Sequence, residues 1–146
     1  MMILMLITLF RAYQFEFFDE TTITFSKGIG FFLVFYIIFY LGTRPISYVF
    51  GDMGTYGKYY NRYAAGETFV VKKDYLFNYF MIYSSKIMDA RWFFFLCSLI
   101  YILPCFLFSK KYGGSYWYYV FFIFVGSYMF WPFGTNGIRN GLGTSI

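Results

Sequence analysis

Three stretches carry no charged residue for long enough to dictate what surrounds them. Tyr112 to Phe133 is 22 residues long, Trp92 to Phe108 is 17 and Gly28 to Gly42 is 15. A bilayer core takes about 20 mostly apolar residues in helical form. The third stretch reaches that length if Phe25 and Ser26 join it and Lys27 carries its ammonium back to the interface. Composition points the same way. Of 146 residues, 60% are hydrophobic, 29% are aromatic and only 13% are charged, against roughly 25% charged in an ordinary soluble domain. A soluble chain of this size buries only about 70% of its unfolded surface, so lipid is the expected solvent for much of this one.

Met1 to Phe18 extends an apolar start, MMILMLITLF, to spanning length by taking Arg11 and Glu16 along. No basic residue precedes it and no small-residue cleavage site follows, so it reads as a first helix rather than a signal peptide. The patterning thus predicts an all-α, multi-pass transmembrane helical bundle in a single integral membrane domain, residues 1–146. Four spans fall near residues 1–18, 25–42, 92–108 and 112–133, and a fifth begins at the end. Trp92, Tyr112, Tyr116, Trp117 and Trp131 lie where an aromatic belt would sit, although so aromatic a composition supplies some by chance.

Residues 43–91 form the one long polar region, with seven of the twelve basic residues and four of the seven acids. Gly51, Gly54, Gly57 and Gly66 mark a turn-rich first half around a short helix. Asp52 is its expected N-cap, and Tyr56, Tyr59, Tyr60 and Tyr63 follow at helical spacing. From Asp74 to Met88 the apolar positions Leu76, Phe77, Phe80, Met81, Ile87 and Met88 predict an amphipathic helix at the membrane surface or against its own neighbours.

The chain has no histidine. That removes Ser-His-Asp and Cys-His catalysis and every zinc site built on imidazole. Cys97 and Cys105, if on one helix, stand about 12 Å apart, too far for a disulfide. The net charge of +5 is dispersed through apolar sequence, which argues against nucleic acid as a partner.

Two local motifs carry chemistry. Gly42-Thr43-Arg44-Pro45, followed by Gly51-Asp52-Met53-Gly54-Thr55-Tyr56, sets a guanidinium at the end of an apolar helix. Such a planar fork suits phosphate and carboxylate oxygens, and glycines let backbone N–H groups approach an anion. The plainer reading is an interfacial arginine that holds headgroups or pairs with Asp52. The second motif, Gly134-Thr135-Asn136-Gly137-Ile138-Arg139-Asn140-Gly141, is a polar turn leading into a helix N-terminus, where anions bind. Its plainer reading is helix packing through Gly137 and Gly141 as GxxxG.

The order of these parts resembles the EpsG-type family of Wzy-like polysaccharide polymerases: an apolar helix, a helix ending in Gly42-x-Arg44, the Gly51-Asp52-x-x-x-Tyr56 loop, an amphipathic stretch, two aromatic helices and Gly137-Ile138-Arg139-Asn140-Gly141. The sequence departs from the family pattern at Asn140, where Gln is commoner, and at Gly143, where Ala is commoner. The resemblance implies a multi-pass enzyme of the bacterial inner (cytoplasmic) membrane. Such an enzyme joins sugar repeat units carried on undecaprenyl diphosphate into exopolysaccharide, capsule or O-antigen, without metal or other cofactor. Its implied partners are the lipid-linked oligosaccharide, membrane lipid and other polysaccharide-export membrane proteins. Arg44 and Arg139 would hold the diphosphate, Asp52 or a tyrosine would orient the acceptor hydroxyl, and Gly42, Tyr56, Gly137 and Gly141 would line the substrate.

Family members run to more than twice this length, and Gly134 to Ile146 ends without a polar tail, so the chain reads as the N-terminal third to half of such an enzyme. The family places the long loop outside the cytoplasm, whereas the count of Lys and Arg, four inside against eight outside, favours the reverse. A small non-catalytic membrane protein that docks a partner helix, or a different lipid-linked glycosyltransferase, are the alternatives.

Overall fold

A computed structural model of the chain describes residues 20–67 and 74–145. The helices in chain order are α1 (Glu20–Thr43), α2 (Asp52–Ala64), α3 (Tyr75–Ser85), α4 (Ala90–Gly113), α5 (Trp117–Gly126), α6 (Phe130–Thr135) and α7 (Ile138–Ser145), with 3-10 turns at Tyr48–Phe50 and Gly114–Tyr116. The expected first span, residues 1–18, lies outside the described residues.

Two long helices set the frame. α1 and α4 run antiparallel, with Phe31 against Phe106 at one end and Gly42 against Phe95 at the other. Between them, α1 buries Leu33, Val34, Ile37, Ile38 and Leu41, and the Ser98 hydroxyl reaches the Ile38 carbonyl at 3.3 Å. The close approach depends on missing side chains. A Cβ on Gly42 would lie 2.4 Å from the Phe95 ring and 2.9 Å from the Ser98 hydroxyl, and one on Gly30 would lie 2.7 Å from the Tyr118 Cβ. Gly114, at φ +51, is one position where positive φ is needed. It ends α4 and turns the chain, so that Phe108 meets Phe124 edge-on at 5.6 Å. α5 thus returns along α4 and beside α1.

This arrangement corrects the four-span expectation. The fold is all-α, but among the described residues one helical stretch, Ala90–Gly126, is long and apolar enough to cross a membrane. α4 supplies its length, about 36 Å at 1.5 Å per residue for 24 residues. The uncharged stretch 112–133 does not make a separate span. Its helix α5 has 10 residues, about 15 Å, and bends away after Gly126 into α6. The apolar part of α1 stops at Lys27–Thr43 and falls below spanning length. The multi-pass inner-membrane placement is corrected with it: at most a single membrane-spanning helix is present among the described residues. Absence of charge measured how far lipid could tolerate the chain, not how far the helix continued. Cys97 and Cys105 both lie on α4 as free thiols.

The described parts of the polar region, residues 43–67 and 74–91, fold onto the end of the bundle where α1 finishes and α4 begins. α2 and α3 form where periodicity placed them. Gly51, at φ +59, takes the N-cap position expected of Asp52, which instead opens the first turn of α2. α3 buries Phe77 and Met81 and leaves Leu76 on its exposed face, and Ile87, also exposed, lies beyond the helix end at Ser85. The anchor for both helices is Phe93, wholly buried, with its ring 4.8 Å from Tyr60 and 5.1 Å from Phe80. The Tyr60 hydroxyl donates to the Met88 carbonyl at 2.7 Å.

Two outcomes follow for unfolding in detergent micelles. Gly42→Ala forces Phe95 and Ser98 aside and lowers stability by about 1–3 kcal/mol, whereas Gly28→Ala, where a Cβ meets nothing, raises it by about 0.5–1 kcal/mol. Burial, aided by Asp89, pushes the Tyr60 hydroxyl up to about 12. The folded chain therefore keeps a proton that unfolded tyrosine gives up near pH 10. The resulting stabilisation is full below pH 10 and declines as pH rises toward 12. Urea titrations between pH 9 and 11 should show a shallower decline for Tyr60→Phe than for the parent chain.

Candidate functional site

Arg44 immediately follows α1, and its position is set from both sides. Its Nη2 donates to the Thr135 carbonyl at 2.8 Å and its Nε to the Met53 sulfur at 3.1 Å. Met53 is wholly buried, and Thr135 closes α6, so the guanidinium is held by two elements distant in sequence. Burial pushes its pKa down to about 10, and Tyr40 opposes the shift. It stays charged at neutral pH while being partly stripped of water.

Arg139, in the first turn of α7, pairs with the Asp74 carboxylate. Asp74 stands just before α3 in the left-handed backbone region, φ 55, a conformation that aspartate tolerates better than most residues. Tyr56 of α2 packs edge-on to Phe77 at 5.2 Å. Its hydroxyl is pushed up chiefly by burial, with Arg139 opposing and Asp52 and Asp74 adding to the rise. Asp52 itself is exposed.

The two glycine-rich motifs meet in space. Besides the Arg44–Thr135 bond, Gly51 of the first lies against Asn136 of the second, 3.2 Å from where a Cβ would stand. Most of the residues singled out from sequence therefore come together at one end of the bundle. Several of the motif glycines also make packing contacts. Gly42 admits Phe95, and Gly141 admits the Phe133 carbonyl, which a Cβ would approach to 2.6 Å. Gly137 also faces Phe133. Met53 and Thr135 lie inside the two motifs but carry no expected role, and Asp74 and Arg91 lie outside both motifs. Asp74 carried no signal beyond standing ahead of an amphipathic helix, and Arg91 none beyond opening an apolar one.

Two hollows flank this cluster. A cleft of about 820 Å³ opens between the end of α1 and the start of α4, with Arg44, Ile46, Arg91, Trp92 and Phe95 in its wall. A groove of about 770 Å³ lies between α3 and α7, with both Asp74 and Arg139 at its edge and an otherwise largely aromatic and aliphatic wall. Among the described residues no group of His, Cys, Asp and Glu is placed to hold a metal ion. No known protein family, no characterised protein and no solved structure matches the chain.

The Asp74–Arg139 pair is about two-fifths exposed on both sides. Screened pairs of this kind contribute about 0–1 kcal/mol. Asp74→Asn should therefore cost less than about 1 kcal/mol in urea unfolding, and 1 M NaCl should erase the difference between variant and parent.

Proposed function

We propose that the chain is the arginine-bearing part of a membrane glycosyltransferase acting on sugar repeat units linked to undecaprenyl diphosphate, which it polymerises into exopolysaccharide, capsule or O-antigen. The observation that carries this reading is the meeting of the two arginine-and-glycine motifs, Arg44 on Thr135 and Gly51 on Asn136, across about ninety residues of sequence. In such a reaction an acceptor sugar hydroxyl attacks the anomeric carbon. The carbon–oxygen bond to the diphosphate breaks, and the diphosphate leaves with the bonding electron pair. A guanidinium already oriented and partly dehydrated favours the extra negative charge that develops on the departing diphosphate over the ground state, in which that oxygen is still bonded to carbon. Arg44 meets this description.

Asp52 is the better acceptor of the proton from the attacking hydroxyl, because the Tyr56 hydroxyl is pushed up and holds its own proton more tightly. Arg139 shares its charge with Asp74 and so has a weaker claim on the diphosphate than Arg44. The alternative, a non-catalytic partner docking through Gly137 and Gly141, draws less support, since both glycines face Phe133 of the same chain.

The test is binding of undecaprenyl diphosphate to the purified chain in detergent micelles. Saturable binding that Arg44→Gln weakens about tenfold or more, consistent with loss of a charge-assisted hydrogen bond, is the expected result. Arg139→Gln should have a smaller effect. Equal affinity for undecaprenol, which lacks the diphosphate, would overturn the reading. Circular dichroism at 222 nm shows whether each variant keeps its helices.

A further inference from the structure

We propose that the cleft between α1 and α4 is a binding site for an amphiphile bearing a phosphate group, with the phosphate between Arg44 and Arg91 and the apolar chain along Trp92 and Phe95. The proposal rests on the reading of Arg44 as a phosphate ligand, and extends it to Arg91 and to a defined cavity. Three observations carry it.

The first is charge. Among the described residues, two arginines line the cleft and no carboxylate does, so its described wall is net cationic. The groove between α3 and α7 instead sets Arg139 beside Asp74. The nearest acid in sequence to Arg91, Asp89, is not in the cleft wall but lines an adjoining hollow with Lys86, the two hollows sharing Trp92. Among the described residues, Arg91 makes no ion pair of its own.

The second is shape and polarity. At about 820 Å³ the cleft falls within the range of small-molecule sites, roughly 300–1,000 Å³. Its wall apart from the arginines is mostly apolar: Ile46, Trp92, Phe94 and Phe95. A small inorganic anion would leave that wall in water, and a hydrocarbon alone would bring no charge to the Arg91 guanidinium. A phosphate with an attached chain satisfies both. Trp92 is 64% exposed, a high value for indole, and a bound chain would cover it.

The third is position. The cleft lies at the start of α4, the helix long enough to span a membrane, and therefore where lipid chains and headgroups meet if that helix spans. The N-terminal end of a 24-residue helix also carries the positive end of its dipole. Asp89, the residue before it, makes no side-chain cap there.

The experiment titrates the whole chain in dodecyl maltoside micelles with dioleoyl phosphatidic acid, dioleoyl phosphatidylcholine or inorganic pyrophosphate. Tryptophan fluorescence is the readout, and Trp92→Phe identifies the part of the signal that comes from the cleft. Phosphatidic acid should saturate the Trp92 signal. Arg91→Gln should weaken it about tenfold, and Lys58→Gln, on the exposed side of α2, should leave it unchanged. Pyrophosphate should bind at least a hundredfold more weakly. Pyrophosphate binding as tightly as phosphatidic acid would place a soluble phosphate in the cleft and overturn the amphiphile. Equal losses for Arg91→Gln and Lys58→Gln would reduce the effect to net charge and overturn the site. If Arg44→Gln weakens binding while Arg91→Gln does not, the cleft falls but Arg44 keeps its assigned role. If neither changes it, both readings fall together.

Discussion

Phe93 sits where the polar half of the chain meets the apolar half, and the site depends on how its ring is packed. It is wholly buried in the first turn of α4 and touches Tyr60 of α2 and Phe80 of α3 at aromatic-pair distances. α2 and α3 have 13 and 11 residues. Isolated helices of that length are marginal in water, where about 12–15 residues are needed even in favourable sequences. Their persistence therefore comes from docking on α4, and each aromatic pair adds about 0.5–1.5 kcal/mol beyond the area it buries. With α2 held there, Met53 stands at a fixed position against Arg44, and Tyr56 against Phe77 of α3.

Arg44 completes the join from the other direction. A guanidinium half removed from water needs compensation, and here the Thr135 carbonyl and the Met53 sulfur provide part of it. Neither acceptor carries a formal charge. The arginine is thus oriented by the fold without being neutralised by those two contacts, unlike Arg139, which meets the Asp74 carboxylate. Two arginines that look equivalent as motifs thus make different contacts in the folded chain, a carbonyl and a thioether at Arg44 and a carboxylate at Arg139.

That difference marks what was legible in the sequence. Arg44, Arg139, Asp52 and Tyr56 could be singled out because cations and acids are rare in so apolar a chain, and helical periodicity placed α2 and α3 well. The pairing of Arg139 with Asp74 was not legible, since 65 residues separate them and neither lies in a pattern that specifies the other. The span count failed for a different reason. Freedom from charge over residues 112–133 measures tolerance for lipid, whereas helix continuity depends on backbone breaks. Gly114 at positive φ and the bend after Gly126 cut that stretch into pieces too short to cross. Glycine in an apolar run is ambiguous in sequence, because the same residue serves a turn at Gly114 and a helix contact at Gly30.

Gly42 shows how the two kinds of reading meet in one residue. Sequence placed it beside substrate, and packing places it against Phe95 and Ser98. It also lines the cleft that holds Arg44 and Arg91. The lack of a side chain lets α1 and α4 close to contact at this end, and that contact sets Phe95 in the wall of the cleft that Arg44 and Arg91 also line. A larger residue at position 42 would push Phe95 away and change the cavity while touching neither arginine. The glycine thus sets the distance between two helices, and a packing constraint near the end of α1 becomes a determinant of the shape of the cleft.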